Sequence, residues 1–473
     1  MTPAMRMNRD NRADKADRSL AYRVGRPVVL LVGLSVFALR VGAVWADAVP
    51  SAIEAADYRG AGETVALRVQ ATVVDQVALA FHSPYQGQNS LDPTTRGRET
   101  ADLTVYGGVR PWTGGEIWIN AEVDQGFGLS NTLGLAGFPS GEAYKVGHSY
   151  PYAMIHRWFL RQTLDLGGQR QTVEGDQNQL AGVQGTNRLV FTVGKISVVD
   201  IFDTNSLAHD PRGDFFNWAI IDAGTFDYAA NSWGYSYGGA VEAYWGAWTG
   251  RAGIYAMSRQ PNGESLDASF RKFQSLLELE RRFTVAGQPG SVKLTGFLTR
   301  APMGAFAEAL RQGQLRDTTP NFITALRYQS HSGVSLNLQQ TLIQSLGVFA
   351  RIGLDDGHQQ SYEFADVDRT ASVGATLAGD IWGRPHDTFG IASVVNGISK
   401  PSQTYLQAGG LGILIGDGRL PHPGVEAISE TYYSLGLTKA VMVSFDYQFV
   451  ENPAYNRDRG PVSILGLRLH LGL

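Results

Sequence analysis

The sequence contains no cysteine in 473 residues. That excludes a disulfide scaffold, thiolate metal sites and a cysteine nucleophile. It also lacks an excess of charge of either sign: 40 Lys+Arg stand against 44 Asp+Glu, a formal net charge of -4. A nucleic-acid binder would carry a basic face or arm, so no nucleic-acid partner is expected. Beyond the N-terminal segment no apolar run is long enough for a transmembrane helix. Internal repeats, low-complexity tracts and blocks of like charge are absent. Glycine is abundant instead, 56 of 473 or about 12%, where about 7% is usual. Glycine costs helix stability, so this composition disfavours a helical bundle and suits an all-β chain rich in turns.

The N-terminus reads as an export signal. Arg18, Arg23 and Arg26 form a basic region, Pro27 to Leu39 an apolar run, and Val44-Trp45-Ala46 or Ala46-Asp47-Ala48 a cleavage site of small residues. The competing reading is a single N-terminal membrane anchor. The expected organisation is a signal peptide with a long n-region over 1–46, a short periplasmic segment over 47–62, and one domain over 63–473.

Past the signal the hydrophobic period is two. Ile117, Ile119, Ala121 and Val123 fall on one face; Glu116, Trp118, Asn120, Glu122 and Asp124 fall on the other. Val443, Phe445, Tyr447 and Phe449 oppose Ser444, Asp446 and Gln448. Leu465, Leu467, Leu469, Leu471 and Leu473 oppose Gly466, Arg468, His470 and Gly472. Soluble sandwiches alternate too, but these polar faces carry large charged groups at successive positions. That fits a water-filled lumen, with the apolar face toward lipid. Only a closed barrel leaves no sheet edge unpaired in lipid. Short turns such as Pro111–Gly115, Gly246–Trp248 and Gly287–Gly290 alternate with long polar segments, Ser83–Arg98, Gly126–Tyr152, Asp200–Asn217 and Asp355–Asp368. The expected fold is therefore all-β, a transmembrane antiparallel β-barrel. Sixteen strands are favoured and eighteen are the alternative, with long extracellular loops and short periplasmic turns. Gly304 to Gln312 reads as a short helix in a loop.

Four ordered blocks carry a resemblance. The first is Phe81-His82-Ser83-Pro84-Tyr85 with Asn89-Ser90-Leu91. The second is Trp118-Ile119-Asn120-Ala121-Glu122-Val123-Asp124-Gln125-Gly126-Phe127-Gly128-Leu129. The third runs from Val193 to Tyr228 and includes His209-Asp210-Pro211-Arg212-Gly213-Asp214-Phe215-Phe216-Asn217-Trp218. The fourth runs from Asp446 to Pro461. Together they resemble the carbohydrate-selective porin (OprB) family of Gram-negative outer membranes. The resemblance implies a sixteen-stranded outer-membrane barrel, often a homotrimer in lipid, that admits small carbohydrates passively. A general or anion-selective porin is the nearest rival.

A sugar pore needs hydrogen-bonding groups for hydroxyls and flat aromatic faces for C–H-rich surfaces, and must release what it binds. Asp203, Asn205, His209, Asp210, Arg212, Asp214, Asn217 and Trp218 supply both in one segment; Glu122 and Asp124 could face it across the lumen. These ten are the candidate pore-lining residues if the segment folds inward. If it stays outside, Asp210, Arg212 and Asp214 would pair with one another. His209 with Asp203 and Asp210 has no third ligand at a recognised spacing, so no metal or other cofactor is expected. Asp446 to Arg459 lacks calcium-loop spacing. The cluster Trp233, Tyr235, Tyr237, Tyr244, Trp245 and Trp248 reads as an interfacial girdle rather than a sugar platform. A barrel enzyme is the contrasting class. Its one motif, Gly234-Tyr235-Ser236-Tyr237-Gly238, lacks the helix that a nucleophile elbow needs, so no enzyme is expected.

The mature chain should begin near Asp47 or Val49. N-terminal sequencing of outer-membrane material checks this; a chain retaining Arg18 to Arg26 would instead mean an uncleaved anchor.

Overall fold

The computed structural model describes residues 62–143, 147–364 and 366–473. The expected signal peptide and all but the last residue of the 47–62 segment lie outside these. The described residues form eighteen strands. In order they are β1 (Val65–Ala78), β2 (Arg96–Trp112), β3 (Gly115–Gly126), β4 (Tyr152–Asp165), β5 (Arg170–Val173) and β6 (Gly182–Gly185). Then come β7 (Arg188–Ile196), β8 (Ser236–Trp245), β9 (Trp248–Ala256), β10 (Phe273–Val285), β11 (Gln288–Gly304) and β12 (Leu326–Ile343). The last are β13 (Leu346–Asp355), β14 (Arg369–Ala378), β15 (Thr388–Gly397), β16 (Glu426–Thr438), β17 (Val441–Glu451) and β18 (Val462–Gly472). All except β5 and β6 form one closed antiparallel barrel, which makes sixteen wall strands. The seam pairs β1 with β18, Val73 opposite Leu469 and Gln70 opposite Gly472.

The alternation seen in the sequence is the wall. On β10, Leu277 and Leu279 are exposed on the outer face while Gln274, Glu278 and Glu280 are buried on the inner one. On β17, Phe445 and Tyr447 are exposed and Ser444, Asp446 and Gln448 are buried. The inner polar groups are packed against other protein groups more than against water.

Connections sort by rim. On one rim β8–β9, β10–β11, β12–β13 and β16–β17 are joined by two residues each. At β10–β11 both, Ala286 at φ 51° and Gly287 at φ 80°, are left-handed, the geometry whose twist matches paired strands. The other rim holds the long segments. One of them carries the expected helix, α2 (Phe306–Arg316), between β11 and β12. Two connections on the short-turn rim are longer: β14 and β15 are joined by nine residues, 379–387, and one connection adds a second sheet. Residues 166–187, between β4 and β7 on the short-turn rim, form their own hairpin, β5–β6.

The aromatic cluster divides. Trp245 and Trp248 are exposed at the β8–β9 turn, as a girdle would be, whereas Tyr235 is buried and stacks on His156 with ring centroids 4.5 Å apart. Ser236 is a buried strand residue whose hydroxyl bonds the Ala256 carbonyl.

Phe445→Arg should destabilise the barrel by about 2–4 kcal/mol if its site is at mid-membrane, and less near an interface. Denaturant unfolding in lipid vesicles measures this. Equal labelling of Phe445→Cys and Asp446→Cys by a membrane-impermeant thiol reagent would contradict the two faces.

Candidate functional site

Two long-rim segments turn into the barrel. The longer, 197–235, joins β7 to β8. Asp203 is fully buried: Asn337 of β12 donates to its Oδ1 at 2.8 Å, and Arg351 of β13 lies 3.5 Å from its Oδ2. Arg351 also donates to the carbonyls of Ala208 and Ile220, each at 2.7 Å. Phe215 packs edge-on against Tyr432 of β16, ring centroids 4.9 Å apart. Asn217 caps the single turn α1 (Trp218–Ile221) by accepting from the Ala219 amide at 3.0 Å. Its own amide group donates to Gln448 of β17 at 3.0 Å. Each anchor is a wall residue on the inner, polar face. The second segment, between β3 and β4, is held the same way: Glu426 of β16 accepts from the Gly137 amide at 2.7 Å, and Gln76 of β1 donates to the Pro139 carbonyl at 2.8 Å.

These loops assemble the charged centre. Asp210 accepts from the Arg212 amide at 2.9 Å, closing a tight turn. Arg468 of β18 clamps that turn to the wall, donating to the Pro211 and Asp214 carbonyls at 2.6 and 2.9 Å. The turn points the Arg212 side chain at three carboxylates: Glu122 at 3.0 Å, Glu142 at 3.2 Å and Asp102 at 3.4 Å. With the Gln70 amide oriented to satisfy its neighbours, its oxygen accepts from Arg212 Nη1 at 2.9 Å and from Tyr106 Oη at 2.6 Å. Nearby, Arg157 of β4 meets Asp200 through two bonds of 2.8 Å, a planar bidentate pair. Both sites therefore carry cations already matched by carboxylates.

The ten candidate residues separate by exposure. Asp210 is exposed, and His209, Arg212 and Asp214 are half-buried. Asp203, Asn205, Asn217, Trp218, Glu122 and Asp124 are buried. Asn205 donates to Asn337 at 2.8 Å, Trp218 stacks on Phe138 at 5.1 Å, and Asp124 sits 2.9 Å from His156. These six hold the architecture around the exposed turn. The exterior pairing of Arg212 with Asp210 and Asp214 does not form. The Asp214 carboxylate instead accepts from the His209 and Asp210 amides, each at 3.0 Å. His209 does not gather with Asp203 and Asp210 as a ligand set either; its Nδ1 meets Asp222 at 3.1 Å. Burial opposes protonation of His209, but the bond and charge of Asp222 outweigh it and raise the pKa to about 9, so the ring is protonated at neutral pH.

Sequence reading missed Arg157, Asp102 and Glu142. Asp102 was visible as a polar-face residue of its strand. No signal in the sequence brings Glu142 or Arg157 to this place, because both arrive from segments far from the Arg212 turn. Among the described residues, Glu122, Asp124 and His156 bring potential metal-ligand atoms within 4.8 Å of one another. The Arg212 guanidinium lies 3.0 Å from Glu122 there, and supplies the positive charge this acidic corner needs.

The family described as "Carbohydrate-selective porin, OprB family" matches residues 88–473. The chain belongs to that family. It is a sugar-preferring channel of the outer membrane, and the fold and family are those of channels. The short-turn rim is accordingly periplasmic and the long-loop rim extracellular. The chain is similar to the high-pH structure of Pseudomonas putida OprB, at 15% identity and a TM-score of 0.64, over 87% of this chain and 94% of that one. The low-pH structure of that protein gives 11% identity and a TM-score of 0.47, over 87% and 93%. The outer-membrane channel DcaP of Acinetobacter baumannii gives 11% and 0.46, over 87% and 98%. At these identities the P. putida likeness bears on the fold alone. No curated protein matches the chain.

Arg351→Ala would leave the Asp203 carboxylate buried without its cation, a loss of about 3–5 kcal/mol. The wall does not need Arg351 for its ladder bonds, so this porin should keep its heat-modifiable gel mobility. Its single-channel current should become noisy as segment 197–235 loosens. A current as quiet as the parent's would show that other contacts suffice to fix the segment.

Proposed function

We propose that this porin selects small neutral carbohydrates at the Arg212 turn, where His209, Asp210, Arg212 and Asp214 meet the water path. The observation that carries the reading is that both arginines are paired: carboxylates surround the Arg212 guanidinium, and Arg157 is held bidentate by Asp200. A wall with these arginines paired gives anions little net attraction. It still presents N–H donors and carboxylate acceptors to hydroxyls, in bonds strengthened by charge. An anion-selective pore would need unmatched cations, and these arginines are matched. Asp203, Asn205, Asn217, Trp218, Glu122 and Asp124 act here as supports that keep the turn rigid. Lipid covers the outer apolar face, and a homotrimer, implied by the sequence resemblance, is the assembly we propose.

Arg212→Ala should raise ion conductance and weaken glucose block of the current together, with the barrel still folded. Planar-bilayer recordings with and without glucose test this. Conductance and block both equal to the parent's would remove Arg212 from the path. Liposome swelling tests the substrate class: neutral sugars should enter faster than amino acids of equal size, and equal rates would mean a general porin.

A further inference from the structure

The hairpin β5–β6 is the departure from barrel architecture that the function so far leaves unused. It rises from the periplasmic rim, where a two-residue turn would have joined β4 to β7. Its tip does not hang in the periplasm. Leu180 is 1% exposed and belongs to the same apolar cluster as Trp118 and Phe159 of the wall. Three backbone carbonyls of the tip are held by arginines of the inner wall: Arg161 donates to that of Asn178 at 2.7 Å, and Arg110 to those of Ala181 and Leu180 at 3.2 and 3.4 Å. The Glu63 amide donates to the Ala181 carbonyl at 2.9 Å, and the Ala181 amide returns a bond of 2.9 Å to the Glu63 carboxylate. A loop docked through its backbone to arginines on two strands and to Glu63 is fixed inside the mouth.

What the docking presents is Gln177. The next residue, Asn178, is tied down through its carbonyl, yet Gln177 itself is exposed. Its side-chain amide meets the Gln70 amide and lies 3.3 Å from Tyr106 Oη. Gln70 and Tyr106 are the residues that touch each other beside Arg212. The extracellular segment and the periplasmic hairpin thus converge on one place from opposite ends of the barrel.

We propose that the β5–β6 hairpin is the inner half of the filter, and that Gln177 is a specificity-determining residue which meets sugar hydroxyls from the periplasmic side. An amide offers one acceptor and two donor hydrogens without net charge, which suits neutral polyhydroxylated solutes. This rests on the reading that solute passes the Arg212 turn, and the test keeps the two separable.

Full-length protein is reconstituted in planar bilayers as the parent, Arg212→Ala, Gln177→Ala, Gln177→Glu and Gln177→Cys. Gln177→Ala should weaken glucose block about fivefold, the loss of roughly one hydrogen bond. Gln177→Glu keeps the side-chain shape, and its added charge should shift the reversal potential in a salt gradient toward cations. The chain has no native cysteine, so Gln177→Cys carries a unique thiol. A bulky cationic thiol reagent added on the periplasmic side should then lower the current in steps. Heat-modifiable mobility confirms folding of each variant. If Arg212→Ala changes the block while all three Gln177 variants behave as the parent, the hairpin inference falls and the Arg212 reading survives. If the Gln177 variants respond while Arg212→Ala is silent, the hairpin stands and the Arg212 assignment falls. If none responds, both fall.

Discussion

Lipid offers no hydrogen bonds to a backbone, so a sheet within it must close on itself. The β1–β18 seam meets that constraint, with nine consecutive residue pairs from Gln70–Gly472 to Ala78–Ile464. Everything else about the molecule follows from closure. With no edges and an outer face given to lipid, the period-two pattern sends most of the wall's polar side chains inward. The interior then holds charged groups that water alone need not satisfy.

The chain meets this inner charge with its own loops. Arg351, Asn337, Glu426, Gln448 and Arg468 stand on five different strands, and each bonds the backbone or side chains of an inserted segment. Carbonyls and amides of the loops replace water as partners for the wall. Such groups are fixed in place, whereas water would reorganise around each passing solute. The rigid turn at Asp210–Asp214 is a consequence of that arrangement, since the Arg468 clamp and the Arg351 anchor hold segment 197–235 from two different strands.

Much of this was legible from residue order. The faces of β3, β17 and β18 were readable position by position, because a strand reverses side at every residue and lipid tolerates no exception near its middle. The helix near Gly304–Gln312 was also readable, as a short helix in a loop. The hairpin at 166–187 was not. Nothing in Gly167-Gly168-Gln169-Arg170 distinguishes a turn that ends from one that grows a second sheet and enters the barrel. The Arg212 partners were unreadable for a related reason: Asp102 and Glu142 lie on either side of β3 in sequence, and only the rolled sheet with its inserted loop brings them to one guanidinium.

Local patterning therefore decided the class of fold, the lipid-facing residues and which segments would be turns, since each depends on neighbours one or two positions away. Tertiary structure decided which charges meet. Whether Trp218 would be a sugar platform or a packed anchor, and whether Arg212 would attract anions or stand neutralised, depended on groups brought from strands and loops on every side of the lumen. Those contacts span the chain from Gln70 to Arg468, and no short-range rule encodes a pairing whose partners are fixed only once the barrel closes.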